Sequence, residues 1–285
     1  MMKRVALITG CSSGFGAHTA ALLAQDFRVI ATMRDPSDLT LLKALAGPHF
    51  DQIDVMKMDV TDPIQIQKVM DTITQREGRL DILVNNAGIC VAGFFEDLSH
   101  HEIESQMATN FFGVQHVSRA CLGLLKQSPD ARIIMISSIA GRSALPFLGA
   151  YNASKWALEG FSESLKFELA PFGIQVCLVE PSVFKTKILD ENLYIAKRAS
   201  DPNSPYYKFS QQIRSHLEKR RQGWQKSPQK VARLIQTLCH QKRIKTRYLI
   251  DYHAKIRIGL RALIPFEWYF RIMSALFRRQ IFQAR

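Results

Sequence analysis

Tyr151-Asn152-Ala153-Ser154-Lys155 sets a phenol and an ammonium four residues apart. On a helix that spacing puts both on one face. An ammonium held near a phenol favours the phenolate, drawing its high pKa toward neutrality and making Tyr151 usable as a general acid or base. Tyr–Lys pairs at this spacing also occur as ordinary surface pairs, so the neighbouring polar groups decide. Asn85-Asn86-Ala87-Gly88 and Ser137-Ser138 each close an apolar run, and Asn110 sits in a helical segment. A serine hydroxyl at a strand end can hydrogen-bond a substrate oxygen as it changes between alcohol and carbonyl. A buried asparagine can hold a water that passes protons to Lys155. Each alone is more often a cap or turn residue; together they are hard to explain as structure alone.

A second group of residues suits a phosphate. Thr9-Gly10-Cys11-Ser12-Ser13-Gly14-Phe15-Gly16 follows the first apolar run and leads into a helix-like stretch, Ala17 to Ala24. Glycines let backbone amides approach a pyrophosphate, and the free N–H groups of a helix start offer it partial positive charge. The spacing is G-x-x-x-G-x-G rather than the usual G-x-G-x-x-G, so the glycines alone also fit a tight turn between packed elements. The next apolar run ends Ala31-Thr32-Met33-Arg34-Asp35. An acid ending that run would accept a ribose 2′-hydroxyl; Arg34 instead offers a guanidinium to a 2′-phosphate. That favours NADP(H) over NAD(H), although Asp35 stands ready to neutralise Arg34.

Positioning these groups requires a sheet whose strands end together. Runs at Val5 to Thr9, Arg28 to Thr32, Asp54 to Met58, Ile82 to Asn85, Arg132 to Ser137 and Gln175 to Glu180 alternate with helical segments, and a last one spans Arg247 to Ile250. Continuous apolar strands such as Arg132-Ile133-Ile134-Met135-Ile136 belong in a parallel sheet covered by helices on both faces. The expected fold is α/β, a Rossmann-type doubly wound parallel sheet of about seven strands. One domain is expected over residues 1–254, with a substrate-loop insertion at about 187–228 and a basic amphipathic extension at 255–285.

Composition narrows the setting. Five scattered cysteines without C-x-x-C suggest neither a disulfide framework nor a zinc ribbon. Eight histidines, including His100-His101, show no zinc-ligand spacing, so no catalytic metal is expected. The opening apolar stretch is too short for a secretory signal, so a cytoplasmic location is expected, with peripheral contact at a membrane surface as one of two readings of the tail. Residues 187–285 hold 22 Lys/Arg against 6 Asp/Glu. Such a surplus points to an anionic partner or to a solvated basic face. Phe266, Tyr269, Phe270, Met273, Leu276 and Phe277 share one helical face flanked by arginines. Residues 255–282 therefore suit either an anionic membrane surface or packing on the sheet or another subunit, and a homo-oligomer is expected. No nucleic-acid motif accompanies the charge.

Thr9 to Gly16, Asn85 to Gly88, Ser138, Tyr151 and Lys155 together resemble the motifs of classical short-chain dehydrogenases/reductases over about residues 1 to 190. Within that family the phosphate turn and Ala31 to Asp35 resemble the 17-beta-hydroxysteroid and retinol dehydrogenase branch. The resemblance implies four catalytic residues: Tyr151 as acid/base, Lys155 as its activator and a ribose ligand, Ser138 on the reacting oxygen, and Asn110 supporting a proton relay. It implies a cofactor lying against Gly10, Ser12, Ser13, Gly14, Phe15, Gly16, Arg34, Asp59, Val60, Asn86, Ala87, Gly88, Tyr151, Lys155, Pro181, Val183 and Thr186. Asp59 and Val60 would flank the adenine, Thr186 would meet the carboxamide, and Ser12 would help Arg34 hold the 2′-phosphate. One departure is Pro181-Ser182, where the family has Pro-Gly; serine lacks glycine's freedom at positive φ. The apolar residues just after the catalytic strands, Phe94, Phe95, Leu145, Phe147, Leu148, Val183 and Phe184, are candidates for the substrate pocket, although several would simply pack under loops. The implied activity is NADP(H)-dependent interconversion of a hydroxyl and a carbonyl on a steroid-, retinoid- or lipid-like substrate. The alternatives are a catalytically idle NADP-binding sensor or scaffold and, within the family, a 3-oxoacyl-type reductase.

Overall fold

The computed structural model describes residues 3–186, 188, 192–222 and 226–281; the end of the extension, 282–285, and parts of the insertion lie outside the described residues. Nine strands run in chain order as β1 (Arg4–Thr9), β2 (Phe27–Met33), β3 (Ile53–Lys57), β4 (Ile82–Asn85), β5 (Cys90–Ala92), β6 (Arg132–Ile136), β7 (Gln175–Glu180), β8 (Leu193–Ile195) and β9 (Arg247–Leu249) among the described residues. Seven of them form one parallel sheet in the order β3-β2-β1-β4-β6-β7-β9. The doubly wound architecture expected from the apolar runs is the one observed.

Alternation along each strand divides the core in two. In β1, Ala6 and Ile8 face one helical layer while Val5 and Leu7 face the other. Ile134 and Ile136 of β6 join the first side, Ile133 and Met135 the second. The first layer is α1 (Gly14–Leu23), α2 (Thr40–Ala46) and α8 (Gln229–His240); the second is α3 (Pro63–Arg76), α5 (Gly113–Leu125) and α6 (Gly149–Leu169). Each large apolar side chain sealed in this way contributes ~1.5–3 kcal/mol of burial. α3 starts where the sequence suggests: the Asp62 carboxylate accepts the Ile64 and Gln65 amides, with Pro63 at the first turn. Small residues let α1 lie close to the sheet, where Gly16, Ala17, Ala20 and Ala21 are buried.

Four further helices surround the strand ends: α4 (His100–Met107), α7 (Tyr207–Gln222), α9 (Tyr252–Leu263) and α10 (Phe266–Ile281). A small parallel pair, β5 with β8, was not expected from the sequence; it ties the chain after β4 to the start of the insertion. The chain from the insertion back to the sheet forms two helices, α7 and α8. Pro265 precedes α10, as its fixed φ favours.

Candidate active site

The carboxyl ends of β1 and β4 meet where the strand order reverses, between the β2 and β6 sides of the sheet, the place at which doubly wound sheets open a crevice for ligands. A single cleft runs there from the β1–α1 turn to the β7 loop. Gly10 and Gly14 take φ of +73° and +54°. The turn is also closed by packing: a Cβ on Gly10 would lie 2.8 Å from the Ala87 Cα, and one on Gly16 would lie 2.2 Å from the Gly10 carbonyl. Ser13 occupies the N-cap of α1 without using its side chain. The first amides of α1 therefore keep their capacity for an anion. Asn86 fixes the opposite wall, its amide nitrogen donating to the carbonyls of Thr9 (2.7 Å) and Gly10 (3.0 Å). The donor set and the close glycine turn fit a pyrophosphate.

Met33 and Arg34 line the same cleft beside Ser12, with Asp59 and Val60 of the β3 loop. Asp35 does not neutralise Arg34: its carboxylate accepts the Ser37 amide at 3.0 Å. That hydrogen bond, helped by the field of Lys57, holds Asp35 below the usual aspartate range. Arg34 is exposed and forms no ion pair among the described residues.

The proton-transfer group stands on β6 and α6. Ser138 follows β6 and lines the cleft with Tyr151; its Oγ accepts the Ala140 amide at 3.1 Å. Lys155 Nζ donates to the Ile136 carbonyl at 2.9 Å and lies 5.9 Å from the centre of the Tyr151 ring. Burial pushes Lys155 down to about 8, against the raising field of Glu159. The expectation that the ammonium draws Tyr151 toward neutrality is not met in the protein's own field: burial raises the phenol, and the nearby Ser138 hydroxyl opposes this without overcoming it. Tyr151 is thus held protonated beside a cation of modest pKa.

Behind this pair is an ionic cluster, buried at Glu159 and Glu180 and reaching the surface at Glu163. Glu159, one turn after Lys155, accepts the Ser137 hydroxyl at 2.5 Å and pairs with Arg247 of β9. Arg247 also binds Glu180 at 2.8 Å and Glu163 at 2.6 Å. Burial raises Glu159 to about 7, and Glu180 adds to the shift.

Asn110 is fully buried in a π-helical turn, Ala108–Phe112, an irregularity often found at functional sites. It does not line the cleft. Its side chain accepts the Ile89 amide at 2.9 Å and donates to the Ile89 carbonyl at 3.0 Å and to Ser154 at 3.3 Å. Those bonds tie the loop after β4 to α6. Gly16 likewise stays behind the turn. The remaining cofactor candidates, from Gly10, Ser12, Ser13, Gly14 and Phe15 through Ala87 and Gly88 to Pro181, Val183 and Thr186, all line the cleft. Ser182 takes no positive φ, so the serine is unstrained; its hydroxyl donates to Asp251 at 2.7 Å.

On the substrate side, Leu145, Leu148, Val183 and Phe184 line the cleft. Phe95 is a correction: it is 85% exposed and lies outside. Phe94 and Phe147 lie in an adjoining cluster, where Phe94 stacks on Tyr206 at 4.6 Å and meets the Phe147 edge at 5.4 Å. Phe147 adopts φ of +70°, a strain of ~1–2 kcal/mol for a bulky residue that its burial offsets. Ile89, Thr109, Ile139, Ile188 and Asn192 also line the cleft and were not singled out from the sequence. Ile89 directly follows the Asn85 to Gly88 motif, a positional signal; Ile188 and Asn192 belong to the insertion and carry none.

Residues 4–193 match the family model described as short chain dehydrogenase. The chain is 39% identical over 277 residues to Uncharacterized oxidoreductase YusZ of Bacillus subtilis, covering 96% of this chain and 98% of that one. It is 37% identical over 213 residues to Retinol dehydrogenase 8 of Homo sapiens, covering 72% and 68%. The crystal structure of a short-chain dehydrogenase from Streptomyces avermitilis superposes with a TM-score of 0.79 at 31% identity, over 98% of this chain and 97% of that one. With the glycine turn at the β1–β4 crossover and Tyr151, Lys155 and Ser138 on one wall, the chain belongs to the short-chain dehydrogenase family, oxidoreductases of CH–OH and C=O groups.

Proposed function

We propose that this protein is an NADP(H)-dependent oxidoreductase that interconverts the hydroxyl and carbonyl of an apolar substrate of steroid, retinoid or lipid type. The observation that carries the reading is the grouping of Ser138, Tyr151 and Lys155 on the wall of a cleft continuous with the phosphate turn. When bound, the nicotinamide supplies or accepts the hydride. In reduction, the Ser138 hydroxyl orients the substrate oxygen and Tyr151 gives it a proton; in oxidation Tyr151 takes that proton back. Lys155, with a pKa of about 8, carries its charge at neutral pH and stabilises the phenolate formed in reduction. Asn110 supports this arrangement by tying the loop after β4 to α6 through Ile89 and Ser154.

Cofactor preference rests on Arg34, left unpaired by Asp35 and lining the cleft with Ser12. The apolar lining from Leu145, Leu148, Val183, Phe184 and Ile188, together with the likeness to a retinol dehydrogenase, supports the substrate class. An idle sensor has no need for Ser138, Tyr151 and Lys155 on one cleft wall, which argues against that alternative.

The test is a fluorescence titration of wild type and Arg34→Ala with NADPH and NADH. Tighter NADPH binding in wild type, lost in Arg34→Ala with NADH affinity little changed, is expected. Equal affinity of wild type for the two cofactors overturns the preference, and binding of neither overturns the enzyme reading.

A further inference from the structure

Nine of the eighteen exposed large apolar side chains among the described residues fall between residues 252 and 276, in α9 and α10. Their spacing is regular. Ile256, Leu260 and Leu263 follow at four and three residues on α9; Trp268, Ile272 and Leu276 follow at four on α10. Each set forms one stripe along its helix. The inward faces are different residues: Ala254 and Ile258 on α9, Tyr269 on α10. Leu263 is 84% exposed and Trp268 63%. Nothing within the described fold requires the outward stripes to be apolar.

The helices are nevertheless firmly seated. The Tyr269 hydroxyl and Ser143 Oγ are 2.7 Å apart, and Arg257 donates to the same Oγ at 2.9 Å. Arg261 stacks on Trp156, the residue after Lys155, at 4.9 Å. Phe277 packs against the cluster of Ala92, Phe147 and Ile213. The loop after the catalytic Ser138 is thus bolted to this helix pair.

Charge distinguishes the occupants such a face could have. Residues 252–281 hold six Lys/Arg and a single acid, Glu267, and Lys255, Arg271 and Arg278 are exposed. A second copy meeting the same face by two-fold symmetry would bring like charges together. An anionic lipid surface meets both features, since apolar stripes enter the headgroup boundary while cations pair with phosphates. Trp268 has the amphipathic ring that favours that boundary. No described helix is long and apolar enough to cross a bilayer, so the helices would lie on the surface.

We infer that α9 and α10 form a docking surface for an anionic phospholipid bilayer, seating the substrate loops at the membrane. The docking itself does not depend on the reaction. Its consequence, that an apolar substrate dissolved in the bilayer has a short path to the cleft, rests on the reading under Proposed function.

The full chain is co-sedimented with phosphatidylcholine vesicles, with and without phosphatidylglycerol, at low and high salt. Expected is preferential binding to the anionic vesicles, weakened by salt. Trp268→Gln/Ile272→Gln/Leu276→Gln should abolish it, and Lys255→Gln/Arg271→Gln/Arg278→Gln should lower the anionic preference on the order of tenfold or more. NADPH titration of each variant reports an intact fold and tests the cofactor reading separately. Equal binding to both vesicles, binding to neither, or binding that survives the apolar triple variant overturns the inference. A change of oligomeric state in that variant, with vesicle binding kept, would assign the face to a second copy instead.

Discussion

The Ser137 hydroxyl donates to the Glu159 carboxylate at 2.5 Å, so the strand end that carries Ser138 is fastened to the helix that carries Lys155. Glu159 is buried and held up to about 7 chiefly by that burial. A carboxyl whose folded pKa exceeds its unfolded value binds more protons when native. Stability therefore falls as pH rises through the window between an ordinary glutamate value and about 7, and levels off above it. In Glu159→Gln this contribution vanishes. Urea unfolding midpoints at several pH values should show a wild-type decline, relative to the variant, on the order of 1–3 kcal/mol across that window. Parallel curves would show that Glu159 is ionised throughout.

The same cluster should set the pH dependence of the reaction. Lys155 is lowered to about 8 by burial and raised by the field of Glu159, and the proposed chemistry needs its ammonium. Activity should then fall as pH rises through about 8. In Glu159→Gln the raising field is gone, so the fall should move to lower pH. Initial rates of reduction of an apolar ketone across pH test this, and an unmoved profile in the variant would exclude Glu159 as a positioning residue for the lysine's charge.

Tyr151→Phe separates chemistry from binding. The change removes one oxygen from the cleft and leaves the glycine turn intact. It should lower kcat by roughly 10²–10⁴, the range for losing a general acid, with NADPH affinity within about twofold. Retention of most activity would move the proton donor elsewhere.

Much of this site was legible because its signals are local. The turn glycines, Arg34 and the Tyr151–Lys155 pair each declare themselves within a few residues, and strand runs such as Ile133 to Ile136 are apolar on both faces because helices cover both. What escaped depends on distant partners. Cys90 to Ala92 is only three residues long and becomes a strand by pairing with Leu193 to Ile195, about a hundred residues on. Glu159 looks like a solvated helix residue until Arg247 arrives from β9. Phe95 was misjudged for the converse reason: its neighbour Phe94 turns inward to Tyr206 while the short helical turn it begins points Phe95 outward. Asn110 was legible as a residue, but not its place behind the cleft wall.

Gly16→Ala probes the phosphate turn. An added Cβ would sit 2.2 Å from the Gly10 carbonyl and 2.5 Å from the Asn86 amide nitrogen, so the backbone of the turn must move. Overpacking of this kind costs ~1–3 kcal/mol, and the displaced atoms are those that shape the pyrophosphate cradle. NADPH affinity should fall at least about tenfold in titration while secondary structure by circular dichroism stays near wild type. Undiminished affinity would mean that the cofactor does not use this turn.

The insertion is held over the substrate side by a contact that spans the molecule: Ser204 donates to Asp97 at 2.6 Å, with both side chains buried. Asp97 Oδ2 has no hydrogen-bond partner among the described residues, and Arg198 lies 3.9 Å from Oδ1. Ser204→Ala therefore removes the close donor from a buried carboxylate, a loss of ~1–3 kcal/mol. Because neither Asp97 nor Ser204 lines the cleft, the loss should appear as loosening of the segment around α7 rather than as weaker cofactor binding. Limited proteolysis should cut faster between residues 197 and 222 in the variant, with NADPH affinity unchanged. Equal cleavage of the two proteins would show that Tyr206 stacking and the β5–β8 pairing hold the segment without the Asp97 contact.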